Sequence, residues 1–360
     1  MPAAKDTLDF IVIGAQKSGT TSLFQYLRRH PEVFIPIEKE VPYFSHDPAV
    51  HTVEWATYIG NIARKAARAA PDAAHLNRKW GTVTPHYGVG GVWEAMDGLA
   101  DGNGYDERTV PRRIRERLPD VRLIAILRDP VERAVSHHRM LVRRGVEKRT
   151  LDEAIDELLR PEALEHSRRH PGEQTGYIVW GEYGRILSGY FDAFDREQML
   201  VVFTDELERD SSQLLRRIQD FIGVSADFQP DNLGESYNVG RAERGFSWTS
   251  PSSWMGPTSP LSPQGVRREL RSNQAARGIW RSLPAERRRR LKRRHERLAV
   301  RTARWNRRKP PNEVKANAQP SPATLARLRE HFTEDGERLS GLLGVTPPWL
   351  VRAEGETPPR

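Results

Sequence analysis

The residues best spaced to do chemistry lie close to the start of the chain, in "GAQKSGTTSL", residues 14–23. Gly14 and Gly19 bracket a four-residue turn, Thr20, Thr21 and Ser22 follow, and the one cation, Lys17, sits inside the turn beside Ser18. A glycine-rich turn that feeds a helix start aims several backbone N–H groups at one point, and the helix dipole adds partial positive charge there. That is chemistry for a phosphate. In the triphosphate-binding pattern G-x-x-x-x-G-K-[ST], lysine follows the second glycine and reaches the β- and γ-phosphates, and the next hydroxyl serves Mg²⁺. Thr20 stands at that lysine's position here, so the charge comes from Lys17, near the end of an anion and not along its flank. Taken alone, the stretch is also compatible with a plain strand-to-helix turn.

A second candidate is "RLIAILRDPVERAVSHH", residues 122–138. Arg128 ends an apolar run and Ser136 lies in the first turns of the helix that follows. A guanidinium fork and a hydroxyl on one strand-turn-helix unit suit another phosphate. The plainer alternative pairs Arg128 with Asp129 or a surface carboxylate. Together the two segments predict a ligand with two separated anionic groups.

The elements that must position these residues alternate in type. Short apolar runs at "LDFIVIG", "VRLIAIL" and "MLVVF" read as strands, "EVFIP" is a candidate for another, and "RKWGTVTPHY" reads as a short strand and turn. Helical patterns follow the glycine turn and cover residues 54–69, Pro111 to Leu118, a stretch from Pro130, 151–160 and 206–222. Such alternation predicts an α/β fold, a central parallel sheet flanked by helices in three layers, with ligands beyond the carboxyl ends of the strands. From about residue 225 the texture changes to a loop rich in Pro, Ser, Gly and Trp, then basic helices near 281–304, then a last helix in "ATLARLREHFTEDGERLSGLLG". The expected organisation is one domain over 1–350, with an α/β core at 8–225, a loop and mostly helical portion at 226–350, and a tail at 351–360.

At this point the sequence resembles a known family. "GAQKSGTTSL" resembles the 5'-phosphosulfate loop, and "RDPVERAVSHH" the 3'-phosphate segment, of sulfotransferases that use 3'-phosphoadenosine-5'-phosphosulfate. "KEVPYFS", residues 39–45, is similar to the lysine-glutamate-aromatic element of the heparan sulfate type and of bacterial carbohydrate sulfotransferases, and the C-terminal helix and tryptophan match the way those chains finish. The resemblance implies that Lys17 meets the 5'-phosphate and the leaving oxygen, with amides and hydroxyls of Ser18, Gly19, Thr20, Thr21 and Ser22 around it. It makes Arg128 and Ser136 the 3'-phosphate clamp. Glu40 becomes the catalytic glutamate, a carboxylate able to take the acceptor's proton if burial raises its pKa. The product would be adenosine 3',5'-bisphosphate, with no metal required by this scheme. The expected acceptor is a hydroxyl of a carbohydrate, glycolipid or other small molecule.

The sequence departs from the family where a glutamate-lysine pair often precedes a Ser/Thr-Pro-x-Tyr turn, because "GTVTPHY" has Thr82 and Val83 there. A second lysine near the reacting centre is then absent or supplied from elsewhere, and His86 and His46 are alternative bases. The lack of cysteine excludes disulfides and thiolate metal sites and, with no apolar run long enough to span a bilayer, fits a cytoplasmic bacterial enzyme.

Residues 267–309 carry 18 Lys/Arg against three acids, an excess larger than the +9 of the whole chain, so the remainder is acidic. This segment could reach a polyanion or an anionic membrane surface. Leu283, Leu291, Leu298 and Trp305 at near-heptad spacing favour instead a solvated amphipathic helix, and no nucleic-acid partner is expected. Trp248 and Trp254 are candidates for a lid or a sugar-stacking surface. Two alternatives remain beside the leading reading. One is a P-loop kinase or triphosphatase with Asp205 and Glu206 as metal ligands; the other is a nucleic-acid-binding protein that uses the arginine-rich segment.

Overall fold

A computed structural model describes residues 5–37, 39–40, 43–45, 53–69, 77–89, 106–170, 172–235, 237 and 319–351. The chain divides into two units, one formed by Met1–His138, Leu151–Arg241 and Gln319–Arg360, the other by Arg139–Thr150 with Ala242–Ala318. Of the second unit only Arg139–Thr150 is described; there the buried Glu147 carboxylate accepts from the backbone amides of Lys148 and Arg149 and from the Arg149 guanidinium. His46, Trp248, Trp254 and the basic segment lie outside the described residues.

The first unit is built on five strands, β1 (Phe10–Gly14), β2 (Val33–Phe34), β3 (Lys79–Val83), β4 (Arg122–Leu127) and β5 (Met199–Phe203). They pair in the order β2-β3-β1-β4-β5, all parallel. Helices occupy the crossovers, as parallel pairing demands. They are α1 (Thr20–Leu27), α2 (Trp55–Ala69), α3 (Thr109–Arg117), α4 (Pro130–Arg143), α5 (Leu151–Leu158), α6 (Pro161–Arg169), α7 (Gly176–Val179), α8 (Tyr183–Ala193), α9 (Thr204–Arg209), α10 (Ser211–Ile222), α11 (Pro322–Leu343) and α12 (Pro348–Val351).

The two-residue period of the strands divides the core into two layers. Ile11, Ile13, Leu123 and Ala125 pack with Ile59 and Ile62 of α2, Ile114 of α3, Leu187 of α8 and Leu339 of α11. Phe10, Val12, Ile124 and Ile126 face Leu23 and Leu27 of α1 and Leu214 and Ile218 of α10. The three-layer α/β expectation is met, with strands where the apolar runs predict them. One boundary differs: the single helix expected over 206–222 is two helices. Asp210 interrupts it and caps α10, its Oδ1 accepting from the Gln213 amide at 2.9 Å. A carboxylate that satisfies a first-turn amide outweighs the continuity suggested by apolar spacing.

After β3 the chain crosses to the other side of β1, so the crevice between the carboxyl ends of β1 and β4 is the switch point of the sheet. Lys17 follows β1 and Arg128 follows β4, which brings both sequence candidates to that crevice.

α11 is held to α8 by polar as well as apolar contacts. The Asp335 carboxylate accepts from the amides of Gly184 and Arg185 at 2.7 and 2.8 Å, at the positive end of α8. Only glycine fits at 184, because a Cβ there would come within 2.3 Å of the Asp335 carbonyl oxygen. Beside it the buried Glu182 carboxylate receives Arg168 at 2.8 Å, Arg185 at 2.7 Å and the His331 imidazole at 3.1 Å. Burial would push the Glu182 carboxyl up, but the hydrogen bonds of His331 and Arg168 and the charges of Arg185 and Arg168 prevail and bring it down to about 2.

A depressed carboxylate stabilises the fold above its unfolded pKa and loses that stabilisation as pH falls through its folded value. Between pH 4.5 and about 2 this network should therefore surrender stability, on the order of 3 kcal/mol. Urea titrations across that range should show the loss, and Glu182→Gln should be less stable at pH 7 with a flatter acid limb; an unchanged limb would contradict the assignment.

Candidate active site

The glycine turn makes the site possible. Gly19 adopts φ 93°, in the left-handed region open to glycine, and no side chain caps α1 among the described residues. The turn is tied down from the ends of β4 and β5: the Ala15 amide donates to the Ile126 carbonyl at 2.7 Å, and the Thr204 hydroxyl, following β5, shares its hydrogen between the Ser18 carbonyl at 2.9 Å and the Leu127 carbonyl at 3.1 Å. A fixed helix N-terminus with no capping side chain suits an anion.

The hydroxyls expected around that anion have different surroundings. Ser18 is fully buried. Ser22 accepts from the Tyr237 amide at 3.2 Å. Thr20 and Thr21 both accept from Lys39, whose Nζ lies 3.2 and 2.8 Å from their hydroxyl oxygens. Lys39 is a cation at this loop that sequence reasoning did not place, although it adjoins Glu40 and although Thr82 and Val83 leave a lysine unaccounted for. Its ammonium is drawn below its ordinary pKa by burial, with Glu40 acting in the opposite direction.

Glu40 stands between a lysine and a histidine: Oε1 is 3.8 Å from Lys39 Nζ and Oε2 is 3.7 Å from His86 Nδ1. Glu40 is not a buried carboxylate, its side chain being 37% exposed. Its neighbourhood is fixed from the turn after β3. The buried Tyr87 hydroxyl accepts from the amides of Tyr43 at 2.7 Å and Phe44 at 3.3 Å, and Arg113 donates to the Phe44 carbonyl at 3.1 Å. His86 and Tyr87 are consecutive, so the turn that anchors residues 43–44 also delivers the imidazole to Glu40.

Arg128 is held by Glu132: Nε and Nη2 each lie 2.8 Å from Oε2. This is the carboxylate pairing that the plainer sequence alternative anticipates, with Glu132 as the partner; Asp129 instead accepts from the Val131 amide at 2.8 Å and caps α4. Ser136 follows Glu132 by four residues on α4, on the same face, and is half-buried.

Between the two halves lies a feature with no clear signal in the sequence. His137 is fully buried, stacked on Trp180 with centroids 5.3 Å apart, and its Nε2 is 3.6 Å from Glu173. Burial drives its pKa down to about 4; Glu173 opposes this, and the charges of Arg133 and Lys17 add to it, so the ring is neutral near pH 7. Trp180 also meets His86 edge to face at 6.4 Å. One indole thereby spans from the imidazole beside Glu40 to an imidazole within the field of Lys17.

Among the described residues no group of three His, Cys, Asp or Glu side chains is arranged to hold a metal ion, and no helix is long and apolar enough to cross a membrane. The triphosphatase alternative assigns Glu206 to a metal. Its carboxylate instead accepts from the Phe203 amide at 3.0 Å and pairs with Arg217, closing the start of α9.

A parallel sheet with a glycine turn after its central strand and a cationic strand end beside it defines a phosphate-loop α/β protein. The description of the sulfotransferase family matches residues 9–229, and the chain belongs to that family. It is 28% identical over 224 residues to heparan sulfate glucosamine 3-O-sulfotransferase 3B1 of Mus musculus, covering 59% of this chain and 45% of that one. It is 32% identical over 135 residues to the membrane-associated sulfotransferase kil1 of Dictyostelium discoideum, covering 37% and 23%. The chain thus spans less than half the length of these curated relatives. A solved sulfotransferase from Alicyclobacillus acidocaldarius shares the fold, with a TM-score of 0.53 at 20% identity over 96% of this chain and 99% of that one.

Gly19→Ala should cost about 1–2 kcal/mol, the penalty of a left-handed non-glycine residue. The new methyl would also sit 2.9 Å from Leu207 Cδ2. Urea unfolding should register the loss, and an unchanged midpoint would contradict the strained turn.

Proposed function

We propose that the chain transfers a sulfonate group from 3'-phosphoadenosine-5'-phosphosulfate to a hydroxyl, on a carbohydrate or a related acceptor. The observation that carries this reading is the placement of Glu40 beside the same lysine that bonds the hydroxyls of the phosphate loop. A proton acceptor and an anion site joined through one side chain are what sulfonate transfer to a hydroxyl needs. Family membership supports the donor. The carbohydrate acceptor is supported by the names of relatives such as the heparan sulfate glucosamine 3-O-sulfotransferase.

The donor supplies a sulfur already bonded to a good leaving group. In the proposed step Glu40 takes the acceptor's proton as its oxygen attacks sulfur, while Lys17 faces the bridging oxygen on which charge collects when the sulfur–oxygen bond breaks. His86, 3.7 Å from Glu40, positions the carboxylate. Arg128, with Glu132 orienting its fork, and Ser136 would take the 3'-phosphate. The scheme asks for no metal, because the ligand carries no triphosphate tail. We place the reaction in the cytoplasm.

Adenosine 3',5'-bisphosphate should raise the melting temperature without added metal, whereas stabilisation only by ATP with Mg²⁺ would sink the proposal. Glu40→Gln should lower kcat by about 10²–10⁴ and leave bisphosphate affinity within about threefold, on the order of half a kcal/mol. Retained turnover in that variant would move the base to another group, with His86 the next to test.

A further inference from the structure

We propose that Lys39 is a positioning residue for the donor's 5'-phosphate end, acting through the hydroxyls of Thr20 and Thr21. The proposal rests on the sulfotransferase reading above. Lys39 bonds across 18 and 19 residues of chain to two consecutive hydroxyls in the first turn of α1, at 2.8 and 3.2 Å. An ammonium is a donor only, and a hydroxyl has one donor hydrogen beside its acceptor lone pairs. Lys39 therefore occupies acceptor positions on both oxygens and turns their hydrogens away from itself. In this proposal an anion at the start of α1 takes a place among the acceptors those hydrogens can reach.

The sequence gives the arrangement its purpose. Thr20 replaces the lysine of the triphosphate pattern, and Thr82 and Val83 replace a charged pair, both being buried strand residues that bring no charge to the crevice. A cation reaching the loop from residue 39 restores positive charge to the first turn from outside the loop. Its side chain is only 19% exposed, and Glu40 at 3.8 Å is beyond hydrogen-bond reach, so among the described residues the charge is incompletely compensated. An arriving phosphate would complete it. Lys39 also links the two halves of the reaction, because the ammonium that orients the donor's hydroxyl ligands holds Glu40 by charge.

Calorimetric titration with two nucleotides tests this. Adenosine 3',5'-bisphosphate carries the 5'-phosphate and adenosine 3'-monophosphate lacks it. Lys39→Met should weaken the bisphosphate by about tenfold or more, the scale of a charge-assisted hydrogen bond, and should change 3'-monophosphate binding by less than about twofold. Lys39→Arg should recover most of the loss. Thr21→Val should reproduce the same selective loss, and the Lys39→Met/Thr21→Val double variant should lose little more than either alone. Thr21→Val alone keeps the test alive if Lys39→Met does not fold. Equal weakening of both nucleotides, or of neither, overturns the role of Lys39 while leaving the donor assignment standing. A wild-type chain that binds neither nucleotide overturns the donor assignment and this proposal with it.

Discussion

Positive charge concentrated at the end of a buried strand is unstable unless something opposes it, and the arrangement of the crevice follows from that constraint. The left-handed turn at Gly19 leaves the start of α1 without a capping side chain, and Lys17 and Lys39 add full charges around it. Carboxylates balance the cations locally: Glu40 stands near Lys39 and Glu132 holds Arg128. Among the described residues the balance is incomplete at the loop, where Lys39 bonds hydroxyls and meets its carboxylate only at a distance. A ligand with two anionic ends suits such a crevice.

The scaffold serves this arrangement through rigidity. Thr204 ties the turn to the end of β4, Tyr87 ties residues 43–44 to the end of β3, and Asp335 and Glu182 fasten α11 against α8. Each tie is a polar group satisfied across a long stretch of sequence. Together they set the positions of side chains that contribute nothing to the apolar core, and they leave the charged groups of the crevice with few alternatives.

Much of this was legible in the sequence. The strands were, because four of the five are apolar runs and the fifth, "KWGTV", is a short segment closed by a turn, and their alternation with helices fixes a parallel sheet. The glycine turn was legible from spacing, and Arg128 from its place at a strand end. Contacts that depend on tertiary approach were not. Nothing in "KEVPYFS" says that Lys39 reaches Thr20 and Thr21, nor does "AVSHH" say that His137 stacks on Trp180. The break at Asp210 was missed because apolar spacing continues across it, and the exposure of Glu40 depends on tertiary approach that no local pattern records. The element carrying the missing lysine's charge was present in the quoted motif, one residue before the glutamate.

In the proposed reading Lys17, the first turn of α1 and Lys39 together form the seat of the donor's 5'-phosphate, with Glu40 facing the reacting side. A crystal structure of the full chain with adenosine 3',5'-bisphosphate tests it most directly. The 5'-phosphate is expected at the start of α1, within hydrogen-bond distance of Lys17 and of the hydroxyls of Thr20 and Thr21, with the 3'-phosphate on Arg128 and Ser136. A 5'-phosphate bound away from that turn, or a nucleotide lying in the reverse orientation, would contradict it.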